Sequence, residues 1–95
     1  MSVFVFVEST MQDYDAWKVV FDDNQAFREQ HGAVRHWLYR APTDANDVFV
    51  AIEFPTLEQA QAFSADPALA EAMKAAGVTG PPRISYREET EVIDY

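Results

Sequence analysis

The spacing of apolar and polar residues in the first third of the chain predicts a strand followed by a helix. Residues 3–7 alternate Val and Phe without a polar residue between them, which is typical of a short strand buried on both faces. Aromatic residues then recur at spacings of three and four after Asp13. This spacing predicts one amphipathic helix over residues 13–30 that ends at Gly32. The residues at this spacing, of which the aromatic ones form one stripe, are Tyr14, Trp17, Phe21, Asn24, Phe27 and Arg28.

Two more strands and a turn are predicted after this helix. Residues 33–41 alternate two sets of side chains, and turn-forming Pro, Asp and Asn residues follow between positions 42 and 47. Residues 48–54 resume the apolar alternation until Pro55, which cannot donate to a strand ladder. The pattern therefore predicts a hairpin.

The last third predicts a kinked helical region and a final strand. Thr56 with Gln59 three residues later forms a capping box, and Asp66 followed by Pro67 restarts the helix up to Gly77. A loop over residues 79–82 then leads to a strand over residues 83–92, which has one polar face and is expected at a sheet edge.

This order of elements, βαββαβ, predicts an α+β fold. It is that of a ferredoxin-like sandwich, a four-stranded antiparallel sheet with its helices on one face, built as a single domain over residues 1–95. The first three strands carry large apolar residues on both faces, so the face without helices would remain exposed in a monomer. We therefore expect a homodimer through this open face. We assign to it Phe4, Phe6, Trp37, Tyr39 and Phe49.

Charge and composition exclude several classes of partner. Sixteen acidic and seven basic residues give a net charge of −9, which repels nucleic acid and anionic membranes, so we expect neither as a partner. There is no cysteine, and the first residues lack the basic region and cleavage site of a secretory signal. We therefore expect a cytoplasmic protein.

Motifs that hold metals or nucleotide cofactors are also missing from the sequence. Histidine and carboxylate pairs at helical metal spacing do not occur, and the three glycines form neither a dinucleotide fingerprint nor a phosphate loop. We expect no metal site and no cofactor.

Two histidines are the first candidates for proton transfer, because their pKa lies closest to neutrality. His31, at the end of the predicted helix, also suits a purely structural role against the helix dipole. His36 shares its strand face with Val34 and Leu38 and is expected to face the helices, where Asn24 interrupts the aromatic stripe. In one interpretation, these residues line an aromatic cavity that binds a small apolar ligand. In the other, His36 is a hydrogen-bonded core residue and Asn24 faces solvent.

Further polar candidates lie on the strands. Arg35, Trp37 and Tyr39 share the opposite face from His36 and are either interface anchors or a binding site for a carboxylate or enolate. Tyr86, which alternates inward on the last strand, is a candidate general acid, although a strand that pairs across a dimer needs such residues too.

Several segments of the chain together resemble a known superfamily. They are residues 13–18 (DYDAWK), 20–22 (VFD), 31–33 (HGA), 39–40 (YR), 57–63 (LEQAQAF), 73–78 (MKAAGV) and 80–82 (GPP). This set resembles the dimeric α/β-barrel superfamily, and within it the small proteins of antibiotic-biosynthesis-monooxygenase type, many of them labelled cyclases. The resemblance implies two ferredoxin-like sheets that close into a barrel, with a pocket between sheet and helices in each subunit.

The resemblance also implies a range of activities. Such proteins include cofactor-independent oxygenases of polycyclic phenols, polyketide cyclases, haem-degrading oxygenases and lactone isomerases. Haem degradation requires an Asn near the end of the first strand and a helix histidine, which this chain lacks in its first strand and second helical region. The polyketide oxygenases place an Asn, a Trp, a Tyr and an Arg around the substrate. Those types are available here as Asn24, Trp17 or Trp37, Tyr39 or Tyr86, and Arg35.

Two hypotheses of different classes result. In the first, the chain is a cofactor-free monooxygenase or cyclase acting on a planar aromatic or polyketide-like substrate. His36 takes a phenolic or enolic proton, Asn24 or Tyr86 holds the oxyanion, and Trp17 and Phe21 stack on the rings. In the second, it is a non-catalytic homodimer that binds a small apolar ligand or assembles with other proteins.

Overall fold

One antiparallel sheet carries two pairs of short helices on one of its faces. The computed structural model describes residues 2–95 and confirms the α+β ferredoxin-like order. The strands are β1 (Val3–Met11), β2 (Arg35–Ala41), β3 (Asp44–Phe54) and β4 (Val78–Glu88), and the helices are α1 (Tyr14–Asp23), α2 (Gln25–Gln30), α3 (Leu57–Ala65) and α4 (Pro67–Ala75). The strand order is β2-β3-β1-β4, so β2 and β4 form opposite edges.

The helix predicted over residues 13–30 is in fact two helices that meet at Asn24. The Asn24 Nδ2 donates to the carbonyl of Val20 at 2.8 Å, and its backbone leaves the helical region with φ −94° and ψ 14°. Asparagine side chains compete with the backbone for hydrogen bonds in this way, which ends α1 and starts α2.

The strands are longer than predicted at three points. β1 continues to Met11, and the hairpin turn is confined to residues 42–43, because Ala41 already pairs with Asp44. β4 begins at Val78 and includes the expected loop over residues 79–82, but it ends at Glu88 rather than at residue 92. Prolines are tolerated there because β4 is an edge strand and because its pairing with β1 is interrupted by a register shift between Glu8 and Thr10, opposite these residues.

The two sheet faces are divided as predicted. His36 pairs with Ile52, and Leu38 pairs with Val50, so these residues of β2 lie on the face covered by the helices. Trp37 pairs with Ala51 and lies on the open face. The helix-covered face holds the main core, which comprises Val3, Val5, Val7, Val48, Val50, Ile52 and Phe54 together with Trp17, Ala60 and Phe63.

Both predicted caps in the second helical region are confirmed. The Thr56 Oγ1 accepts from the Gln59 backbone N–H at 3.2 Å, and the Asp66 Oδ1 accepts from Ala68 N–H at 3.0 Å with Pro67 in the first turn. The Thr56 cap begins α3, and the Asp66 cap separates α3 from α4. Within residues 2–95, no helix is long and apolar enough to cross a membrane.

Phe54 tests the packing of this core from a position that does not itself line the candidate site described below. Its side chain is fully buried against Phe63, with ring centroids 5.3 Å apart. We expect Phe54→Ala to lower the free energy of unfolding by about 3–5 kcal/mol, because it leaves a cavity that the core cannot refill. Urea denaturation followed by circular dichroism measures this. Leu57→Ala on the exposed start of α3 is the control, and an equal loss in both variants would contradict the assignment.

Candidate functional site

A cavity of about 60 Å³ lies between the helices and the sheet. The sheet forms its floor through β1 and β3, the first helix pair forms one wall, and α4 forms another. Ligand sites in proteins are usually such apolar concavities with few polar groups. The residues that line it are Val7, Ser9, Trp17, Val20, Phe21, Asn24, Phe27, Arg28, Val50, Ile52, Phe63, Leu69, Ala72, Met73 and Ala76.

Trp17 and Phe21 form the aromatic wall of the cavity. Their rings stack, with centroids 4.8 Å apart and planes inclined by 19°. They lie one helical turn apart on α1, which places both rings on the side that faces the sheet. The sequence prediction that these two residues line one aromatic surface agrees with this position.

Three lining residues carry a hydroxyl, amide or charged group, namely Ser9, Asn24 and Arg28. Asn24 lies at the junction of α1 and α2 and is half-buried. Its Nδ2 is committed to the carbonyl of Val20, and among the described residues its Oδ1 has no hydrogen-bond donor. The amide oxygen is therefore the part of Asn24 that can meet a ligand.

Arg28 is a buried cation that sequence reasoning did not place among the functional residues. Its side chain is only 6 % exposed, its Nη1 donates to the carbonyl of Phe21 at 2.8 Å, and its Cζ lies 3.9 Å above the Phe21 ring. Burial lowers the pKa of Arg28, while the nearby carboxylates of Asp22 and Glu29 raise it. Guanidinium groups nevertheless stay protonated in proteins. The available signal was its spacing, four residues after Asn24 and seven after Phe21.

His36 lies outside the cavity, contrary to the expected arrangement with Asn24. Its ring meets the Phe21 ring edge-on at 5.0 Å, but the side chain is exposed on edge strand β2. Partial burial lowers the pKa of His36, and the positive charges of Arg28 and Lys18 lower it further. The imidazole is therefore neutral at pH 7, and it contacts the lining residue Phe21 without lining the cavity itself.

Tyr86 is also remote from Asn24. It pairs with Val5 on the helix-covered face of β4, and its hydroxyl forms a hydrogen bond with the Ser64 hydroxyl on α3. Neither residue lines the cavity. The structure therefore does not bring Tyr86 together with Asn24 or His36, because these residues lie over different parts of the sheet.

The remaining predicted site residues lie on the open face, on the far side of the sheet from the cavity. The Arg35 Nε pairs with the Glu53 Oε1 at 2.9 Å, while Trp37 and Tyr39 are 37 % and 53 % exposed. Aromatic contacts with centroids 5.2 to 6.4 Å apart join this face into one cluster. We name it the aromatic face, and it consists of Phe4, Phe6, Trp37, Tyr39 and Phe49.

His31 connects the two helix pairs beside the cavity. It caps the end of α2, and its Nε2 lies 2.9 Å from the Oδ2 of Asp66, the N-cap of α4. Its ring also meets Phe27 and Phe63 edge-on, and both of these line the cavity. These contacts give His31 a structural role, which is to join the two helix pairs.

Potential metal ligands are dispersed over the structure. Across residues 2–95, no group of three or more His, Cys, Asp or Glu side chains converges on a point that could hold an ion.

Solved structures with the same fold include several bacterial proteins. The chain is similar to SnoaB, a cofactor-independent oxygenase from Streptomyces nogalater, with a TM-score of 0.76 and 18 % identity over 99 % of this chain and 97 % of that one. Candidate antibiotic biosynthesis monooxygenases from Bordetella bronchiseptica (TM-score 0.81, 10 % identity, 95 % and 98 % covered) and Caulobacter crescentus (0.74, 19 %, 95 % and 91 %) are similar too.

These likenesses confirm the predicted resemblance to the antibiotic-biosynthesis-monooxygenase type at the level of the fold. Comparison of the sequence with protein-family models gave no match, and comparison with curated proteins gave no significant one. The shared fold therefore defines an architecture with a helix-covered pocket, and the activity has to be argued from the site.

The contact of His31 with Asp66 predicts a loss of stability in acid. The Ala68 N–H and then His31 lower the pKa of Asp66 below its ordinary value. Stability from this carboxylate is therefore fully present above its unfolded-state pKa of about 4 and is lost as the pH falls through the lower folded-state pKa. We expect Asp66→Asn to flatten this acid slope in urea titrations between about pH 2 and 6. Glu71→Gln on exposed α4 is the control, and an unchanged slope in Asp66→Asn would refute the prediction.

Proposed function

We propose that the chain is a small cofactor-independent enzyme of monooxygenase or cyclase type that binds a planar aromatic or polyketide-like substrate in this cavity. The observation that carries the proposal is the stacked pair of Trp17 and Phe21, which faces an apolar cavity with Asn24 and Arg28 at its edge. The likeness in fold to SnoaB, a cofactor-independent oxygenase, supports it.

Cofactor-free oxygenation requires that the substrate itself supply the electrons. An activated CH₂ group that takes up O₂ and loses one water becomes a carbonyl, so no external reductant is consumed. The electron-rich form is the enolate or phenolate, and cyclisation also proceeds through an enolate that attacks a carbonyl carbon. Stabilisation of this anion by nearby positive charge and amide dipoles is the contribution we assign to the cavity.

Proton removal is assigned to solvent in this proposal. The lining residues include no His, Asp or Glu, so none of them can act as a positioned base. The role of His36 is reduced to its edge-on contact with Phe21, which holds one ring of the aromatic wall.

The wall formed by α4 must move to admit a substrate with several rings. An apolar cavity that holds benzene measures about 150 Å³, which is larger than the cavity of about 60 Å³ seen here. α4 has no fully buried residue, and its lining side chains Leu69 and Met73 are half-buried. We expect this helix to be displaced when a larger ligand binds.

A non-catalytic ligand-binding role is the second candidate. The specific observation in its favour is that no general base lines the cavity. This alternative predicts binding of planar phenols without O₂ uptake or product formation.

Oxygen uptake separates these functions. We expect the protein, dialysed against a chelator, to consume O₂ with hydroxylated anthrones or naphthols, and the product to carry one atom from ¹⁸O₂ by mass spectrometry. Asn24→Ala should lower kcat/KM by roughly 10²-fold, the usual effect of removing one oxyanion-stabilising group. Gln25→Ala, an exposed amide one residue away, is the matched control. Binding without uptake by the wild-type protein would favour the second candidate.

We also propose that the aromatic face is covered by a second copy of the chain. Its five residues form a continuous patch opposite the helices, and Trp and Tyr are the usual anchors of interfaces. The neighbouring pair of Arg35 and Glu53 offers both charges at the rim, which suits a self-complementary two-fold contact.

The oligomeric state tests this second proposal. Light scattering after size exclusion should give a dimer at micromolar concentration, and Trp37→Glu should give a folded monomer, because it places a charge in the middle of an apolar contact. Val19→Glu, at an exposed apolar position on α1, is the control and should remain dimeric. A wild-type monomer would overturn the proposal.

A further inference from the structure

We infer that the cavity selects ligands with an ionised oxygen, namely phenolates, enolates or carboxylates, and that Arg28 is the residue that selects them. The inference rests on the proposed function only for the use of this cavity as the binding site. It deepens that proposal by defining the charge of the ligand and by assigning a specificity role to Arg28.

Arg28 is a buried cation whose charge is only partly balanced by its neighbours. A charge removed from water is destabilising unless opposite charge or hydrogen bonds replace the lost hydration. Arg28 has one carbonyl, that of Phe21, and one ring face as partners. Throughout residues 2–95, no carboxylate forms an ion pair with its guanidinium.

The end of α1 compensates only part of this charge. The carbonyl of Phe21 belongs to the last turn of α1, where the helix dipole supplies roughly half a negative charge. The carboxylates of Asp22 and Glu29 attract the charge of Arg28 only at a distance, since both side chains are exposed to solvent. A local excess of positive charge therefore remains at the cavity, although the whole protein carries −9.

A guanidinium at an apolar cavity recognises anionic oxygens. Its remaining N–H groups form a planar fork that fits a carboxylate or a pair of neighbouring oxygens. The apolar lining and the rings of Trp17 and Phe21 suit an aromatic body. Both requirements are met by an aromatic acid or an acidic phenol, whereas an aromatic ammonium ion is repelled.

The charge of Arg28 also affects the protonation of a bound ligand. A fixed cation within a few ångströms of a phenol favours its ionised form and lowers its pKa. Apolar surroundings act in the opposite direction, so a lowered pKa of the bound phenol would be a direct sign of Arg28. The amide of Asn24, one turn before Arg28 on the same side of the helix, lies where it can contact the same oxygen.

A chromogenic phenol tests this without any turnover. para-Nitrophenol absorbs visible light only as its phenolate, so titration of the bound probe gives its pKa directly. We expect the wild-type protein to lower this pKa by at least about one unit, equal to a roughly tenfold preference for the phenolate. Arg28→Gln should abolish the shift, and Arg28→Lys, which keeps the charge, should retain part of it. Arg87→Gln, at an exposed arginine of β4, is the control and should leave the shift unchanged.

A second measurement decides the matter if Arg28→Gln does not fold. Competition with the probe on the wild-type protein compares naphthoate with naphthylmethylammonium, which have the same ring system and opposite charge. We expect at least a tenfold preference for naphthoate. Equal affinity, a preference for the ammonium ion, or a pKa shift that persists in folded Arg28→Gln would overturn the inference. The pKa shift without O₂ uptake would refute the proposed enzyme alone, and O₂ uptake without the shift would refute this inference alone.

Discussion

The hydrogen bond from Arg28 to the carbonyl of Phe21 is the interaction on which the candidate site depends. The last carbonyls of a helix lack regular partners within it, and at the end of α1 the Phe21 carbonyl accepts only a long hydrogen bond from the Asn24 N–H at 3.3 Å, so it can accept from a further donor. Arg28 supplies one from the start of the next helix and lies over the Phe21 ring at the same time. One contact therefore stabilises the junction of α1 and α2, holds the ring of Phe21 and places a cation beside the cavity.

Much of the fold could be predicted because it follows from alternation and capping. Alternation divided the two sheet faces correctly, and the sequence around Thr56 and around Asp66 located both caps. The ends of the strands were harder to predict from the sequence, because the point at which a strand stops depends on its pairing with neighbouring strands. Pro81 and Pro82 indicate a loop in isolation, but β4 pairs only with β1 on one side and accommodates them.

The candidate site was only partly predictable, for a geometric reason. Trp17, Phe21 and Asn24 share one stripe of a helix, so their spacing alone brings them to the same cavity. His36 and Tyr86 were predicted only to face the helices, which fixes a face but not a position across the sheet. They belong to β2 and β4, which lie at opposite edges and flank the cavity above the central strands. Arg28 was missed because a charged residue at the margin of an apolar stripe usually faces solvent.

The two faces of the sheet also explain which side of the cavity can adapt to a ligand. Val50 and Ile52 form the floor of the cavity, and between them Ala51 lies on the opposite face, as does the neighbouring Phe49. A partner on the aromatic face would therefore immobilise the backbone that carries the floor. α4 has no buried residue and is joined to α3 through the capped junction at Asp66. A ligand larger than the present cavity is thus accommodated by the helix wall, while the sheet and the Arg28 guanidinium keep their positions.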